Sequence, residues 1–237
     1  KNINKKLIFK STKFKKLRNI EYLNEFEAKK ILSSKNLSIP NSIKSSRMKD
    51  LNKVKEIGYP VVLKALSKDL IHKTEHGAVK TNIIDEIELI KAFDHMKSNL
   101  NKNFPNFNTD HFLIEKMEPE PICELVIGIK KDNIFGIIIT IGAGGIFVDL
   151  FRDLKIMVGP VTRKEIMESL MSLKISTIFT GYRGSKITNI NKIVQFINTL
   201  LSLMNDPTHK IAEIEINPLF VYENHVKAID AVIAVGN

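Results

Sequence analysis

Apolar residues recur along this chain in two periods, and the switches between them mark out its elements. A spacing near 3.6 residues predicts the helices. The first starts at the pair Asn24 and Glu27 and runs to about Asn36, ended by Ser38-Ile39-Pro40. Leu51, Val54 and Ile57 share one side of a short second helix, stopped by Gly58-Tyr59-Pro60. Leu89, Ile90, Phe93, Met96 and Leu100 form the stripe of a third. Thr162 with Glu165 opens a fourth, which carries Ile166, Leu170 and Leu173. Ile190, Ile193, Val194, Ile197, Leu201 and Met204 mark a fifth.

Shorter apolar runs bounded by turn residues read as strands: Val61–Leu66, Ala78–Ile84, His111–Met117, Ile122–Lys130 and Ile134–Ile141. Residues 41–46, with three serines and an asparagine, read as a loop, and so does the polar stretch Ser67–Gly77. Asn101–Asp110, with Pro105, reads as a linker between two lobes. The expectation is a mixed α/β chain of two α+β lobes. It divides into a basic tail over residues 1–20, a first subdomain over 21–105 and a second over 106–237. No internal repeat is visible.

The C-terminal strand pair carries the most chemistry. In Glu213-Ile214-Glu215-Ile216-Asn217-Pro218-Leu219, a strand sets Glu213, Glu215 and Asn217 on one face and Ile214 and Ile216 on the other. Adjacent carboxylates repel each other unless a cation lies among them, and oxygen ligands with room for water and phosphate suit Mg²⁺. A two-residue turn at Glu223-Asn224 pairs Tyr222 with His225 and, counting back, Asn217 with Asp230. Cross-strand neighbours lie about 5 Å apart, so Glu215, Asn217 and Asp230 could converge on one ion. A turn at Asn224-His225 would instead set Asp230 opposite Leu219, and an exposed acidic edge strand is the plain alternative.

Several other residues stand out against their surroundings. Lys64 shares a strand face with Val62 and Leu66, where an ammonium without a partner is costly; a phosphate would supply one. Glu124, in an apolar strand, calls for a hydrogen-bonding partner such as a ribose or a metal-bound water. Gly142-Ala143-Gly144-Gly145 permits close backbone approach to a ligand, with Gly144 as the candidate contact, or merely a tight turn. Glu115 and Met117 could flank an adenine through a backbone hydrogen bond and apolar packing. Arg183, in Gly181-Tyr182-Arg183-Gly184, is a possible anion clamp or a surface ion pair. His72 and His76 lie in a loop, which argues against a helical metal pair and leaves each as an ordinary loop histidine on spacing alone.

The net charge of +10 suggests a nucleic-acid partner until it is located. Lys1, Lys5, Lys6, Lys10, Lys13, Lys15, Lys16 and Arg18 supply eight of those charges, no acidic residue lies among them, and the rest is nearly neutral. This tail reads as a solvated arm, poor in the arginine of transit peptides, and no nucleic-acid partner is expected. The chain starts at Lys1, which reads as a processed chain or part of something longer. No apolar run approaches the roughly 20 residues of a membrane span, so no membrane partner is expected. The single cysteine, Cys123, excludes an internal disulfide, suits a reducing, cytoplasmic setting, and reads as a buried, inert thiol.

Taken in order, Gly58-Tyr59-Pro60-Val61-Val62-Leu63-Lys64, His72-Lys73-Thr74-Glu75-His76-Gly77-Ala78-Val79, Leu113-Ile114-Glu115-Lys116-Met117, Gly142-Ala143-Gly144-Gly145-Ile146, Gly181-Tyr182-Arg183-Gly184 and Glu215-Ile216-Asn217-Pro218-Leu219 form a pattern. It resembles the ATP-grasp domain, specifically the β subunit of the ADP-forming acyl-CoA synthetases of the acetate–CoA ligase type, over residues 21–235. The resemblance implies two lobes with a nucleotide cleft between them. It implies Lys64 on the phosphates, Glu115 and Met117 in the adenine hinge, and Mg²⁺ on Glu215, Asn217 and Asp230. It also implies a reaction, acyl-CoA + ADP + phosphate giving acid + CoA + ATP. In that reaction the resemblance implies a phosphohistidine on the α partner as carrier of the phosphoryl group and His72 as its relay to the nucleotide.

Two positions depart from the family's pattern. Gly77-Ala78 stands where a Gly-Gly pair is usual, and Ser185-Lys186-Ile187-Thr188-Asn189 replaces prolines and an Asp, which weakens the role of Arg183. There is no recognisable CoA-binding segment, so the implied α portion is a separate subunit or a fused domain, and a hetero-oligomer is expected. Three other readings are a further ATP-grasp ligase, such as a succinyl-CoA-synthetase-like β chain, a nucleotide-sensing module of a larger protein, and a nucleic-acid binder acting through the basic tail.

Overall fold

A computed structural model of the chain describes residues 19–46, 51–66, 77–103, 111–145, 153–184 and 186–236. They form two compact units. The smaller holds residues 24–27 and 40–119; the described residues of the larger are 19–23, 28–39 and those from 120 onward. This division differs from a boundary near residue 105 in the linker, of which 104–110 lie outside the described residues.

The smaller unit is built on a four-stranded antiparallel sheet in the order β2-β5-β3-β4. Its strands are β2 (Ser42–Ser45), β3 (Val61–Ala65), β4 (Val79–Ile83) and β5 (Phe112–Lys116). Helices α2 (Leu51–Ile57) and α3 (Glu86–Asn103) accompany it. The stripe of α3, Leu89, Phe93, Met96 and Leu100, is buried with Val61, Leu63, Ala65, Phe112 and Ile114 in one apolar core. Two features correct the sequence reading. Residues 41–46 are not a loop throughout, because Ser42–Ser45 pairs along β5 from Glu115 to Phe112. β5 in turn belongs to this sheet, and it carries the boundary past Lys116.

The larger unit contains a seven-stranded antiparallel sheet. Its strands are β1 (Glu21–Tyr22), β6 (Cys123–Asp132), β7 (Gly136–Ala143), β8 (Leu154–Val158), β9 (Ile211–Val221), β10 (Val226–Ala228) and β11 (Ala231–Val235). The order is β1-β11-β9-β6-β7-β8, with β10 also on β9. Residues alternate strictly in β6: Cys123, Leu125, Ile127 and Ile129 are buried, while Glu124, Val126 and Gly128 are half-buried. Helix α1 (Glu25–Ser34) begins in the smaller unit, and from Ala28 its residues belong to the larger. Its start is the expected reciprocal pair: Glu27 N–H donates to Asn24 Oδ1 (3.1 Å) and Asn24 N–H to Glu27 Oε2 (3.2 Å). Three more helices follow: α4 (Arg163–Met171), a short α5 (Ser176–Phe179) and α6 (Ile190–Met204). Thr162 and Glu165 close a full capping box on α4. Ile193, Val194, Ile197, Leu200, Leu201 and Met204 of α6 are buried, and the helix packs against β9 and β6.

No helix among the described residues is long and apolar enough to cross a membrane. The Cys123 thiol is buried, and burial together with the neighbouring Glu124 pushes its pKa up to about 12, as befits an inert thiol.

Candidate functional site

In the smaller unit, Val61, Leu63 and Ala65 face the core, so the pleat turns Lys64 onto the opposite side of β3. On the adjacent strand, Leu113 lies across from Lys64 and Glu115 across from Val62. Lys64 is 5% exposed, and its Nζ sits 2.9 Å from Glu115 Oε2 and 2.6 Å from Glu25 Oε1. Glu25 and Glu115 are each 2% exposed. The partners of the buried ammonium thus include two carboxylates, where the sequence had suggested a phosphate. Glu25, 39 positions away, carried no signal beyond that of an acidic residue in a first helical turn.

The end of β5 is pinned to the turn that precedes β3. Lys116 Nζ donates to the carbonyls of Gly58 (3.0 Å) and Tyr59 (2.9 Å), and Met117 N–H donates to Pro60 O (3.0 Å). Any contact of Met117 with a base edge therefore uses its carbonyl or its side chain.

In the larger unit, the hairpin has the register that the Glu223-Asn224 turn requires. Tyr222 N–H donates to His225 O (2.9 Å), Val221 faces Val226 and Leu219 faces Ala228. Asn217 N–H donates to Asp230 O (3.2 Å), and the pairing continues with Ile216 opposite Ala231 and Glu215 opposite Val232. Ile214 and Ile216 are buried in the core, whereas Glu213 and Glu215 are half-buried and Asn217 is exposed. Asp230 Oδ1 accepts from Ala231 N–H at 2.7 Å, which orients the carboxylate. On its other side Glu215 faces Gly128 of β6, so the residue directly across brings no side chain against it. Among the described residues no group of three or more His, Cys, Asp or Glu is arranged to hold a metal.

Glu124 and the glycine cluster meet directly. Gly144 N–H donates to Glu124 O at 2.7 Å. A Cβ on Gly145, whose φ is +61°, would lie 2.6 Å from Glu124 Oε2, so only glycine leaves room for the carboxylate. Burial raises the Glu124 carboxyl above its ordinary value. Arg183 is exposed at φ 50° and ψ 35°, an uncommon conformation for arginine, and its guanidinium lies 5.4 Å from the ring centre of Tyr182. None of the described contacts joins it to Glu124 or Gly144. His72 lies outside the described residues.

Two more buried charged residues were missed besides Glu25. Asp153 Oδ2 accepts from Ile175 N–H (2.9 Å) and its carbonyl accepts from Ala143 N–H (3.0 Å), tying the start of α5 to the end of β7. Lys29, 1% exposed, donates from Nζ to Ile229 O at 2.6 Å. In the sequence, Lys29 four residues after Glu25 looks like half of a surface helix pair.

Comparison with known proteins shows the family of the chain. The ATP-grasp domain family matches residues 16–235. The chain is 34% identical over 208 residues to the β subunit of acetate–CoA ligase (ADP-forming) I from Pyrococcus furiosus, covering 87% of this chain and 89% of that one. It is 34% identical over 219 residues to the 4-hydroxybutyrate–CoA ligase (ADP-forming) of Nitrosopumilus maritimus, spanning 31% of that longer protein. Among solved structures, it superimposes on the dinucleotide-forming acetyl-coenzyme A synthetase 1 of Ca. Korarchaeum cryptofilum, in complex with coenzyme A and Ca-AMPCP. The TM-score is 0.83 at 32% identity, covering 91% of this chain and 93% of that one. The same protein with coenzyme A and Mg-AMPPCP, its phosphohistidine segment pointing towards the nucleotide site, gives 0.74 at 31% identity and the same coverage. This chain belongs to the ATP-grasp family, in the branch that holds the β subunits of the ADP-forming acetate–CoA ligases.

Proposed function

We propose that this chain is the nucleotide- and phosphoryl-handling β component of an ADP-forming acyl-CoA synthetase. It would work with a CoA-binding α subunit or fused α domain to convert acyl-CoA, ADP and phosphate into acid, CoA and ATP. The observation that carries this reading is the hairpin: its register puts Asn217 against Asp230 with Glu215 on the same strand face, in a chain matching nearly the whole length of a β subunit.

The donor set fits magnesium. Glu215, Asn217 and Asp230 offer only hard oxygens, and the glycine beside Glu215 leaves space for water and phosphate oxygens. These three residues would hold the ion. When bound, Mg²⁺ neutralises charge on the nucleotide's phosphates. The chain's own residues do the rest. Lys64 would meet the phosphates by exchanging one of its two carboxylate partners, Glu25 or Glu115, for a phosphate oxygen. Met117 borders the base, Glu124 the ribose or a metal-bound water, and Gly144 the phosphates; Arg183 clamps an anion. His72 takes the phosphoryl group from the α partner's phosphohistidine, an N–P bond forming as another breaks. It then passes the group to a β-phosphate oxygen of ADP and recovers its neutral imidazole.

The test is reconstitution with a CoA-binding α subunit and measurement of ATP formed from acetyl-CoA, ADP and phosphate. His72→Ala should abolish ATP formation while leaving ADP affinity nearly unchanged. Full turnover by that variant would remove the relay. Tight ADP binding with no turnover alongside any α partner would favour a nucleotide sensor.

A further inference from the structure

We propose that Lys29 is a positioning residue for the hairpin, standing in for a backbone donor that Pro218 cannot supply, and so setting metal affinity at Asp230. The inference rests on the metal reading given above. β10 ends at Ala228 and β11 begins at Ala231, so Ile229 and Asp230 form a bend between them. In this register Pro218 lies opposite Ile229, in line with the pair Tyr222 and His225, whose N–H and carbonyl bond across the ladder. Such a pair normally exchanges two hydrogen bonds. Only one can form here: Ile229 N–H donates to Pro218 O at 3.0 Å, whereas proline has no N–H to return.

Lys29 supplies the return. Its Nζ reaches Ile229 O at 2.6 Å, and the side chain is almost completely buried. A lysine is rarely enclosed to that degree, and its ammonium is costly to bury without acceptors such as this carbonyl. The segment after α1 adds a second tie, because Ala228 N–H donates to Ser38 O at 2.9 Å. The peptide leading into Asp230 is therefore fixed from outside the sheet, at the point where the ladder lacks a donor. Without that anchor the bend can relax, and the carboxylate of Asp230 loses its place opposite Asn217.

The experiment measures Mn²⁺, a spectroscopic substitute for Mg²⁺, on the full chain by the loss of its free EPR signal. Thermal unfolding and metal-free ADP affinity are recorded alongside. Lys29→Met should bind Mn²⁺ roughly 10-fold more weakly with ADP affinity unchanged, the size typical of residues that orient a metal ligand. Lys29→Gln, which keeps a neutral donor, should recover part of the loss. Wild-type Mn²⁺ affinity in folded Lys29→Met overturns the proposal. If Lys29→Met does not fold, the wild-type chain decides: Mg²⁺ should shift the ¹⁵Nζ resonance of Lys29 together with the Asp230 amide, and a silent Lys29 overturns it. Glu215→Ala separates the two ideas. If it too leaves Mn²⁺ binding intact, the metal reading has failed; if it abolishes binding while Lys29→Met does not, only the role of Lys29 has.

Discussion

Replacing Lys64 with methionine keeps the unbranched stem, one atom shorter, and removes its charge from between two buried carboxylates. At 2.6 Å from Glu25 and 2.9 Å from Glu115, each contact is worth about 6 kcal/mol at an effective dielectric of about 20. Desolvation of the three groups offsets much of that, so the intact cluster adds little net stability. The variant has no such balance. Glu25 and Glu115 keep their desolvation cost and lose the shared cation, and removing one partner of a buried pair typically costs about 3–5 kcal/mol. For a chain of this size that lowers the melting temperature by roughly 6–20 °C, which calorimetry on the intact chain resolves. Neutralising the carboxylates as well, in Lys64→Met/Glu25→Gln/Glu115→Gln, should recover most of the loss, because the three residues act as one unit. A Lys64→Met protein melting within about 2 °C of the parent would refute the reasoning. It would mean that the ammonium is not what keeps the two carboxylates buried.

Two further outcomes follow from the larger unit. Glu215→Ala should leave metal-free ADP binding intact and remove most of the Mg²⁺-dependent gain, at least about 10-fold by titration calorimetry; an unchanged Mg²⁺ dependence would take Glu215 out of the site. Glu124→Gln should melt higher than the parent at pH 7. Burial raises the folded-state pKa of Glu124, so its charged form is penalised above that value and the penalty is absent below the unfolded value of about 4.3. The advantage of the glutamine variant should therefore shrink to nothing as the pH falls through the carboxylate range. An advantage that persists at pH 3.5 would trace it to packing instead.

The parts of the fold legible in the sequence were those whose cause is local. The hairpin register could be counted because alternation and a short turn fix it together, and α6 could be read because its apolar stripe is unbroken. Ser42–Ser45 has no strand pattern of its own; it is a strand because β5 offers it a partner some seventy residues later. The same non-local pairing draws β5 into the smaller unit and moves the boundary away from the proline-containing linker. For the site, the residue types announced themselves and their partners did not. Lys64 was recognisable as a buried charge, but nothing near it in sequence pointed to Glu25. Nothing near Lys29 in sequence marks it as buried, because the carbonyl it serves lies 200 positions away.

Strand β1 is the neighbour of β11: Glu21 pairs with Val235, Tyr22 with Ala234, and Leu23 N–H donates to Ile233 O. On the ribosome this makes the two units unequal. Every residue of the smaller one has been synthesised by residue 119, and it can close its sheet as soon as β5 has left the exit tunnel. The larger one must hold Ala28 and Leu32, the apolar side of α1, without their final core until β11 emerges. At ordinary translation speeds that interval is on the order of ten seconds. A nascent chain halted just before Ala231 should thus bind chaperones through its first helix while its smaller unit is already resistant to protease.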